Sequence, residues 1–355
     1  MFITGIGTAT PPRRYTKAEC WNAFLESDWF GRLDRRSHAI AEAVLLRDNG
    51  ISARRLAVDS LAQVFAIDPD TLQRRFSTHA PTLATEAAVA AMRDSGIGAG
   101  DIDAIVVSTC TGYLCPGLTS YLAERLGLNA NVQAYDLVGQ GCGAALPNLR
   151  LADALIAARA TQRVLSVCVE VSSAAMYLDN DPGVLVSACL FGDGAGAAVL
   201  SAQPLKHKRR IEWRSSSSVL EPGQREALRF EQRGGMLRNI LTRPVPALAA
   251  EYAQTVLETE LTRAQLKVSD IVSWIMHAGG RDVLQALRER IGLTVDDLRY
   301  SAAILDEYGN MSSAFVYFVL SKALEDNTPP GWWWMSAFGA GFSCHGALLA
   351  VGARE

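Results

Sequence analysis

The apolar residues of this 355-residue chain occur at helical spacing in some segments and as short continuous runs in others, and the same order of segments occurs twice. Residues 86–94 form an alanine-rich helical pattern, which a polar link and an apolar run at 105–109 follow. Residues 251–261 form a second helical pattern, which a polar link and an apolar run at 271–276 follow. Short apolar runs bounded by turn residues are typical of buried strands. The pattern therefore predicts one helix–strand unit in each half of the chain.

A second pair of segments supports this duplication. The turns at 141–143 and 309–310 each precede a helical pattern, which an apolar run follows at 163–169 and at 332–337 respectively. Alternating helices and strands predict an α/β protein in which helices cover both faces of the sheet.

Polar segments mark the expected boundary and surface elements. Polarity rises at 202–210, so we expect an N-terminal half at residues 1–206 and a C-terminal half at residues 207–355. Residues 213–233 are polar and irregular, which predicts a surface loop or hairpin. Residues 17–55 are rich in helical patterns with mixed charge, and we expect them to cap the face that carries the active site.

Composition and charge exclude several classes of protein. Hydrophobic residues make up 49% of the chain and charged residues 20%, at a formal net charge of −3, which is typical of a globular protein. No block of Lys and Arg stands out, so the sequence does not predict nucleic-acid binding. The stretches 104–123 and 331–352 lack charged residues but contain glycine or proline. We interpret them as buried strands with tight turns instead of membrane spans.

The seven cysteines include one candidate nucleophile. They are widely spaced with no Cys-x-x-Cys pair, which favours reduced thiols of the cytoplasm over disulfides or a zinc site. Cys142 lies between two glycines at the start of a helical pattern. A helix N-terminus lowers the pKa of a thiol, and a neighbouring imidazolium would lower it further, so Cys142 is predicted to be a reactive thiolate. The alternative is a buried structural cysteine.

Two residues of the second half are candidates for the same site. His277 ends the apolar run at 271–276 and enters a glycine turn, where α/β sheets often carry reactive groups. Asn310 opens a helix at the position that Cys142 holds in the first half. Taken alone, the histidine fits a core position and the asparagine an ordinary N-cap. If the three converge, the thiolate could accept an acyl group while the other two donate hydrogen bonds to an oxyanion.

Five motifs in order give the chain a family resemblance. They are Gln-Gly-Cys-Gly at 140–143, Cys-Leu-Phe-Gly-Asp-Gly-Ala-Gly at 189–196, Trp-Ile-Met-His-Ala-Gly-Gly at 274–280, Glu-Tyr-Gly-Asn-Met-Ser-Ser at 307–313 and Ala-Phe-Gly-Ala-Gly-Phe at 337–342. Over nearly its full length the chain resembles the type III polyketide synthases, the chalcone synthase-like branch of the thiolase-fold condensing enzymes. The resemblance implies a thiolase-like fold, in which two pseudo-repeated α/β halves form a five-layered αβαβα core, and a homodimer.

The resemblance also assigns roles to the candidate residues. It implies that Cys142 takes a starter acyl group from a CoA thioester, while His277 and Asn310 stabilise the enolate formed when malonyl-CoA loses CO2. Phe191 matches an aromatic gatekeeper beside the nucleophile. The implied reaction is iterative decarboxylative Claisen condensation followed by cyclisation to a pyrone, resorcinol or related phenol, with no metal or redox cofactor.

Departures from the plant pattern predict the shape of the substrate cavity. The resemblance places Cys110, Ala175, Asn239 and Ser312 at substrate-binding positions, and it places Cys115 where a residue projects across the dimer interface. Several of these side chains are smaller than their plant counterparts, which predicts a wider cavity suited to an alkyl starter. Cys110 has two interpretations, as a small residue of the cavity wall or as a second thiol near the growing chain.

Three alternatives stay open at this point. A ketoacyl-ACP synthase III-like enzyme would perform one condensation without cyclisation, and a catalytically silent partner subunit would bind an active synthase. The basic residues that hold CoA phosphates in plant members do not align, although Arg47, Arg54 and Arg55 lie near the expected position. Delivery of the starter by an acyl carrier protein is therefore an alternative to delivery by CoA.

Overall fold

The structure, a computed structural model, describes residues 1–353. These residues form thirteen strands: β1 Phe2–Ala9, β2 Arg14–Thr16, β3 Ala53–Arg55, β4 Ala104–Ser108, β5 Gln133–Leu137, β6 Arg163–Glu170, β7 Gly194–Ser201, β8 Ile211–Leu220, β9 Leu228–Arg233, β10 Met236–Leu241, β11 Ile271–Met276, β12 Gly331–Gly339 and β13 Ser343–Val351. They also form ten α-helices: α1 Lys17–Leu25, α2 Arg35–Leu46, α3 Pro69–Ser95, α4 Leu118–Leu126, α5 Ala145–Ala157, α6 Pro182–Leu190, α7 Val245–Ala264, α8 Arg281–Ile291, α9 Arg299–Tyr308 and α10 Phe315–Glu325.

Nine of the strands form one sheet with two similar halves. The first half has the order β5-β4-β6-β7-β1, with parallel pairs at β4 and antiparallel pairs at β7. The second half has the order β11-β12-β13-β8, with a parallel pair at β11 and antiparallel pairs at β13. Phe2 of β1 pairs with Glu212 of β8 and joins the halves. The predicted duplication is confirmed, because β4 and β6 correspond in order to β11 and β12.

The helices and the two halves of the sheet together form five layers. α3 covers the outer face of β1, β6 and β7, and α7 covers the outer face of β8 and β13. α5 and α10 lie between the halves, since each of them contacts strands from both. One continuous hydrophobic core surrounds these two central helices. The predicted αβαβα architecture is thus confirmed, and the expected boundary at residues 206 and 207 lies in the connection between β7 and β8.

Two glycines allow α3 to pack directly on β1. A Cβ atom at Gly7 would lie 2.2 Å from the carbonyl oxygen of Ala87, and one at Gly5 would lie 2.3 Å from that of Ala91. No side chain fits at such distances, so the helix backbone rests on the strand backbone. The helix itself begins at the Asp68 N-cap, whose carboxylate accepts a hydrogen bond from the Thr71 N–H.

The prediction of a loop or hairpin at 213–233 is only partly correct. Residues 228–241 form the hairpin β9–β10, but residues 213–220 belong to β8 and pair with β13. The serines at 215–218 made this strand look irregular. Two of their hydroxyls have partners that the local sequence does not show, since Ser217 Oγ donates to the Val256 carbonyl at 3.1 Å and Ser218 Oγ lies 2.8 Å from His345 Nδ1.

The stretch at 104–123 contains the predicted buried strand β4, but its last residues, 118–123, belong to helix α4 and not to a strand or turn. Residues 17–55 contain α1 and α2, and α2 packs against α6, the helix that leads to Phe191. Within residues 1–353, no helix has the length and apolar character that crossing a membrane requires.

Candidate active site

Cys142 lies in a short 3-10 turn at Gly141–Gly143, directly before α5. Gly141 has a φ angle of +54°, which glycine adopts without strain, and a Cβ atom there would lie 2.8 Å from the backbone nitrogen of Ala340. The turn of the first half therefore packs on the loop between β12 and β13 of the second half. This contact places the thiol at the seam between the halves.

His277 follows β11 on the other side of the seam. Its backbone N–H donates to the Ser336 carbonyl at 2.9 Å. Its buried ring packs against Phe315 and Phe338, with ring centroids 5.4 Å and 5.0 Å away. Neither ring nitrogen has a hydrogen-bond partner among the described residues. Backbone and aromatic contacts therefore fix the ring, and both of its nitrogens are available to a ligand.

Asn310 follows α9, and both polar atoms of its carboxamide form hydrogen bonds. Its Nδ2 donates to the Gly279 carbonyl at 2.9 Å, and its Oδ1 accepts from the Ser312 N–H at 2.8 Å. Its backbone forms a bridge to Phe191. Ser312 has a φ angle of +50°, a strained value for a residue other than glycine. These contacts fix the orientation of the carboxamide and tie it to the predicted gatekeeper.

The three predicted catalytic residues line one cavity. This cavity has a volume of about 540 Å³, and Phe191 and Phe338 contribute to its wall beside Cys142, His277 and Asn310. The sequence expectation that these residues converge therefore agrees with the geometry, although their roles stay predictions.

Charged residues of both signs line the mouth of the same cavity, three arginines together with Asp48 and Asp282. Arg47, Arg243 and Arg281 line it and are exposed. Within residues 1–353, neither Arg47 nor Arg243 forms an ion pair. Of the three arginines considered from the sequence, only Arg47 lies here. Arg54 is buried, and Arg55 pairs with Glu307.

Burial controls the protonation of the thiol and the imidazole. It raises the pKa of Cys142 to about 12, although the hydrogen bond from Ser312 opposes this shift. It lowers the pKa of His277 to about 3. The expectation of a thiolate beside an imidazolium is therefore wrong for the structure without substrate. Both groups are neutral near neutral pH, because desolvation outweighs the favourable effect of the helix N-terminus.

A second, smaller cavity continues behind Phe191. It has a volume of about 30 Å³. Four of the predicted substrate-binding residues line it together with Phe191, namely Cys110, Ala175, Asn239 and Ser312. Cys115 is exposed on the surface of the chain and lines neither this cavity nor the larger one.

The expectation of a wide cavity is not met. About 10–15 Å³ of such volume is needed for one water molecule, so the smaller cavity offers room for only a few atoms. Met176, Tyr177 and Phe230 line it as well. These larger side chains occupy the space beside the small residues, and the sequence motifs did not point to them.

The sequence analysis missed a buried carboxylate behind Cys142. Glu170 is completely buried at the end of β6, and burial raises its pKa. Its oxygens accept hydrogen bonds from Thr111 Oγ1 at 3.0 Å, from the Cys110 N–H at 3.1 Å and from the Ser313 hydroxyl. A glutamate within an apolar run was the signal that could have identified it.

Ser312 connects this carboxylate to two thiols. Its hydroxyl lies 3.3 Å from Glu170 Oε1, 3.2 Å from Cys142 Sγ and 3.4 Å from Cys110 Sγ. Cys110 therefore belongs to the hydrogen-bond network behind the predicted nucleophile as well as to the cavity wall.

Arg54, which the sequence left unassigned, has a structural role beside the predicted gatekeeper. Its guanidinium donates to the Ala188 carbonyl at 2.7 Å and to the Phe191 carbonyl at 3.1 Å. Both carbonyl groups lie at the end of α6, where no further helical turn supplies N–H donors to them. Arg54 thus fixes the backbone of the predicted gatekeeper and has no contact with the cavity mouth.

Comparisons with known proteins match nearly the whole chain. The family model for chalcone and stilbene synthases matches with its N-terminal domain over residues 2–204 and with its C-terminal domain over residues 214–351. A 3,5-dihydroxyphenylacetyl-CoA synthase from Streptomyces toyocaensis is 29% identical over 337 residues, which are 93% of this chain and 84% of that protein.

Two solved structures have similar folds. The C-terminal type III polyketide synthase domain of Steely1, a type I/III hybrid from Dictyostelium, has a TM-score of 0.85 at 26% identity and covers 98% of both chains. PKS-I from the brown alga Ectocarpus siliculosus has a TM-score of 0.88 at 24% identity, over 98% of this chain and 97% of that one, and supports the fold alone.

Proposed function

Because the chain belongs to the chalcone and stilbene synthase family of type III polyketide synthases, we propose that it extends an acyl starter with malonyl units by decarboxylative Claisen condensation and cyclises the product. The observation that carries this proposal is the single cavity that holds Cys142, His277 and Asn310. A thiol supports covalent catalysis, and an imidazole and a carboxamide suit the negative charge that develops on a thioester oxygen.

Loading begins when a starter thioester enters the cavity. His277 has no competing hydrogen bond, so one of its nitrogens accepts the Cys142 proton as the sulfur attacks the thioester carbon. The bond from that carbon to the CoA sulfur then breaks. The protonated imidazole returns its proton to the leaving thiolate, which leaves an acyl–Cys142 thioester and a neutral His277.

Extension uses Asn310 and His277 as donors. One N–H of the Asn310 amide is held by the Gly279 carbonyl, and the second is available, since a primary amide carries two. Loss of CO2 from malonyl-CoA leaves an enolate whose oxygen accepts hydrogen bonds from both side chains. The enolate carbon attacks the acyl–Cys142 carbonyl, and the Cys142 thiolate leaves. The extended chain is then attached to CoA and returns to Cys142 for the next cycle.

The walls of the cavity support this sequence of steps. Phe191 and Phe338 face the reacting groups, and aromatic walls reduce access of water to the acyl–enzyme and to the enolate. Hydrogen bonds from fixed donors are stronger in such surroundings than in water. No step requires a metal or a redox cofactor.

Two arginines without ion pairs at the cavity mouth support delivery by CoA. The free guanidinium groups of Arg47 and Arg243 are suited to the phosphates of a CoA thioester, since arginine pairs with phosphate in bidentate geometry. Carrier-protein delivery of the starter is the alternative. Replacing both arginines by alanine should raise the KM for malonyl-CoA with little change in kcat if CoA binds there.

The product class follows from the family and from one relative. A 29% identical protein is a 3,5-dihydroxyphenylacetyl-CoA synthase, and its name describes a phenolic product. We therefore place the product among small phenols and pyrones.

All seven cysteines are free, which supports a reducing compartment such as the cytoplasm.

The homodimer belongs to this proposal as well. Tyr113 and Val138 are 70% and 65% exposed, and a second copy that covered them would bury this apolar surface. Sedimentation should then give twice the chain mass of 38.3 kDa.

Mass spectrometry of products tests the proposed function directly. Purified protein is incubated with malonyl-CoA and with starters that range from acetyl to long-chain and aromatic CoA esters. Cyclised products that contain several malonyl-derived units are expected, with short starters preferred because of the small inner cavity. A single condensation without ring closure would indicate a ketoacyl-ACP synthase III-like enzyme. Absence of both products and malonyl-CoA decarboxylation would overturn the proposal in favour of a silent partner subunit.

A further inference from the structure

Two residues that line the inner cavity of about 30 Å³ each carry a buried polar atom without a partner among the described residues. Asn239 is 8% exposed, and its Oδ1 has no hydrogen-bond partner among the described residues. The same holds for Ser172 Oγ, and both residues line this cavity. Buried polar atoms almost always have partners, and one without a partner costs about 1–3 kcal/mol.

Three other hydroxyl groups of the cavity wall are already bound within the protein. Ser187 Oγ donates to the Gly183 carbonyl at 2.8 Å, and Ser173 Oγ donates to Asp193 Oδ2 at 2.6 Å. Thr111 Oγ1 donates to Glu170. Asn239 and Ser172 therefore differ from these three residues, because the buried polar atom of each lacks a partner among the described residues.

The position of Asn239 is fixed by the hairpin β9–β10. Asn239 pairs with Phe230 across the two strands, and directly opposite residues of an antiparallel pair lie on the same face. Both of them line the cavity. The preceding residue, Arg238, donates to Asp179 at 2.9 Å and to Glu231 at 3.1 Å. These ion pairs hold the strand so that Asn239 faces the cavity.

The lining restricts the chemistry of the occupant. Within residues 1–353, no Lys or Arg lines the cavity, so a carboxylate would be buried without a counter-ion, which is costly. A carboxamide oxygen accepts hydrogen bonds, and a serine hydroxyl both accepts and donates. The volume allows only a few atoms. A short acyl group that carries a neutral hydroxyl satisfies these conditions, whereas an alkyl tail would leave both polar atoms unpaired.

We propose that the inner cavity binds the end of a short, hydroxyl-bearing acyl chain, whose O–H donates to Asn239 Oδ1 and whose oxygen accepts from Ser172 Oγ. This inference rests on the proposed function, because the acyl chain reaches the cavity from Cys142. It makes Asn239 and Ser172 determinants of starter specificity, and it replaces the alkyl starter that the sequence suggested.

A matched pair of starters tests the inference. Initial rates with 3-hydroxybutyryl-CoA and butyryl-CoA, each with malonyl-CoA, give the preference as a ratio of kcat/KM values. The wild-type protein should prefer the hydroxylated starter by about tenfold, since a site built for a hydroxyl discriminates against its absence. Asn239→Leu should abolish the preference and Ser172→Ala should reduce it. Ser187→Ala should retain the preference, because that hydroxyl is already bound to Gly183.

Other results of this experiment distinguish a failure of the inference from a failure of the proposed function. If Asn239→Leu does not fold, Asn239→Ser keeps an acceptor and should retain part of the preference. Equal rates for both starters in the wild-type protein, as expected if only water occupies the cavity, would overturn the inference and leave the proposed function intact. An unchanged preference in Asn239→Leu would also overturn it. Failure to condense either starter or to decarboxylate malonyl-CoA would instead contradict the proposed function.

Discussion

Cys142 and His277 share a cavity in which burial keeps both side chains neutral. Their ionisation is therefore coupled to the attack on a thioester, in which the Cys142 proton passes to His277 as the new carbon–sulfur bond forms. In the free protein a neutral thiol is protected from reactions with other electrophiles. The neutral imidazole is able to take up the thiol proton, which an imidazolium is not.

This charge state predicts a specific pH dependence. Below its pKa of about 12, the thiolate fraction of Cys142 falls about tenfold for each pH unit. The alkylation rate of Cys142 by iodoacetamide should therefore rise about tenfold per unit from about pH 6.5 to about pH 9.5, without a plateau. Peptide mass analysis of timed digests, with substrate absent, measures this rate.

An internal comparison comes from the same digests. Cys115 is exposed and reports whether the reagent was active throughout. A plateau in the Cys142 rate near pH 7 would mean that a thiolate is already present, and the account of a neutral resting pair would then be wrong.

At the scale of single residues, the candidate site could be predicted only partly from the sequence. Cys142, His277 and Asn310 lie in glycine-rich turns that local sequence shows clearly. The roles of Glu170 and Arg54 depend on partners far away in the chain, such as Ser313 and Phe191. Such contacts exist only once the halves have packed together, so no local pattern could reveal them.

At the scale of elements, direct backbone contact between β1 and α3 determines how the first half packs. We predict that Gly7→Ala lowers the free energy of unfolding by at least about 2 kcal/mol, because the new Cβ would meet the backbone of Ala87 and Ala91. Urea denaturation followed by circular dichroism measures the change.

Gly100→Ala is the matched control. A Cβ atom at residue 100 would have nothing within 4 Å. Stability should be unchanged or raised by up to about 1 kcal/mol, because alanine restricts the unfolded chain. Equal losses in both variants would show that the effect is a general one of replacing glycine and is unrelated to the contact with α3.

The elements themselves were predicted best where apolar residues made continuous runs. The runs at 105–109 and 271–276 correspond closely to β4 and β11. Residues 213–220 of β8 were missed because the serines among them find partners on α7 and β13, such as the Val256 carbonyl and His345. Its strand conformation follows from pairing with β13, which is more than a hundred residues away in the chain.

At the scale of the whole molecule, duplication explains why a site forms at the seam. The turns before α5 and α10 occupy equivalent places in the two halves, and they carry Cys142 and Asn310. The strand β11 brings His277 to the same place. Each half alone would therefore hold an incomplete site.

The size of the inner cavity also depends on both halves of the chain, since Phe230 comes from the second half and Ala175 from the first.

The central claim is that Cys142 carries the acyl chain while His277 and Asn310 support decarboxylation. The most direct measurement follows CO2 release and condensation product separately in the wild-type protein and in Cys142→Ala. Cys344→Ser is the matched control, because Cys344 is buried on β13 and lines neither cavity.

The account predicts that Cys142→Ala loses the condensation product and the acyl adduct seen by intact-protein mass, yet continues to release CO2 from malonyl-CoA. Cys344→Ser should retain all three activities. Condensation by Cys142→Ala at the wild-type rate, or an acyl adduct located on Cys110, would contradict the assignment of Cys142 as the nucleophile.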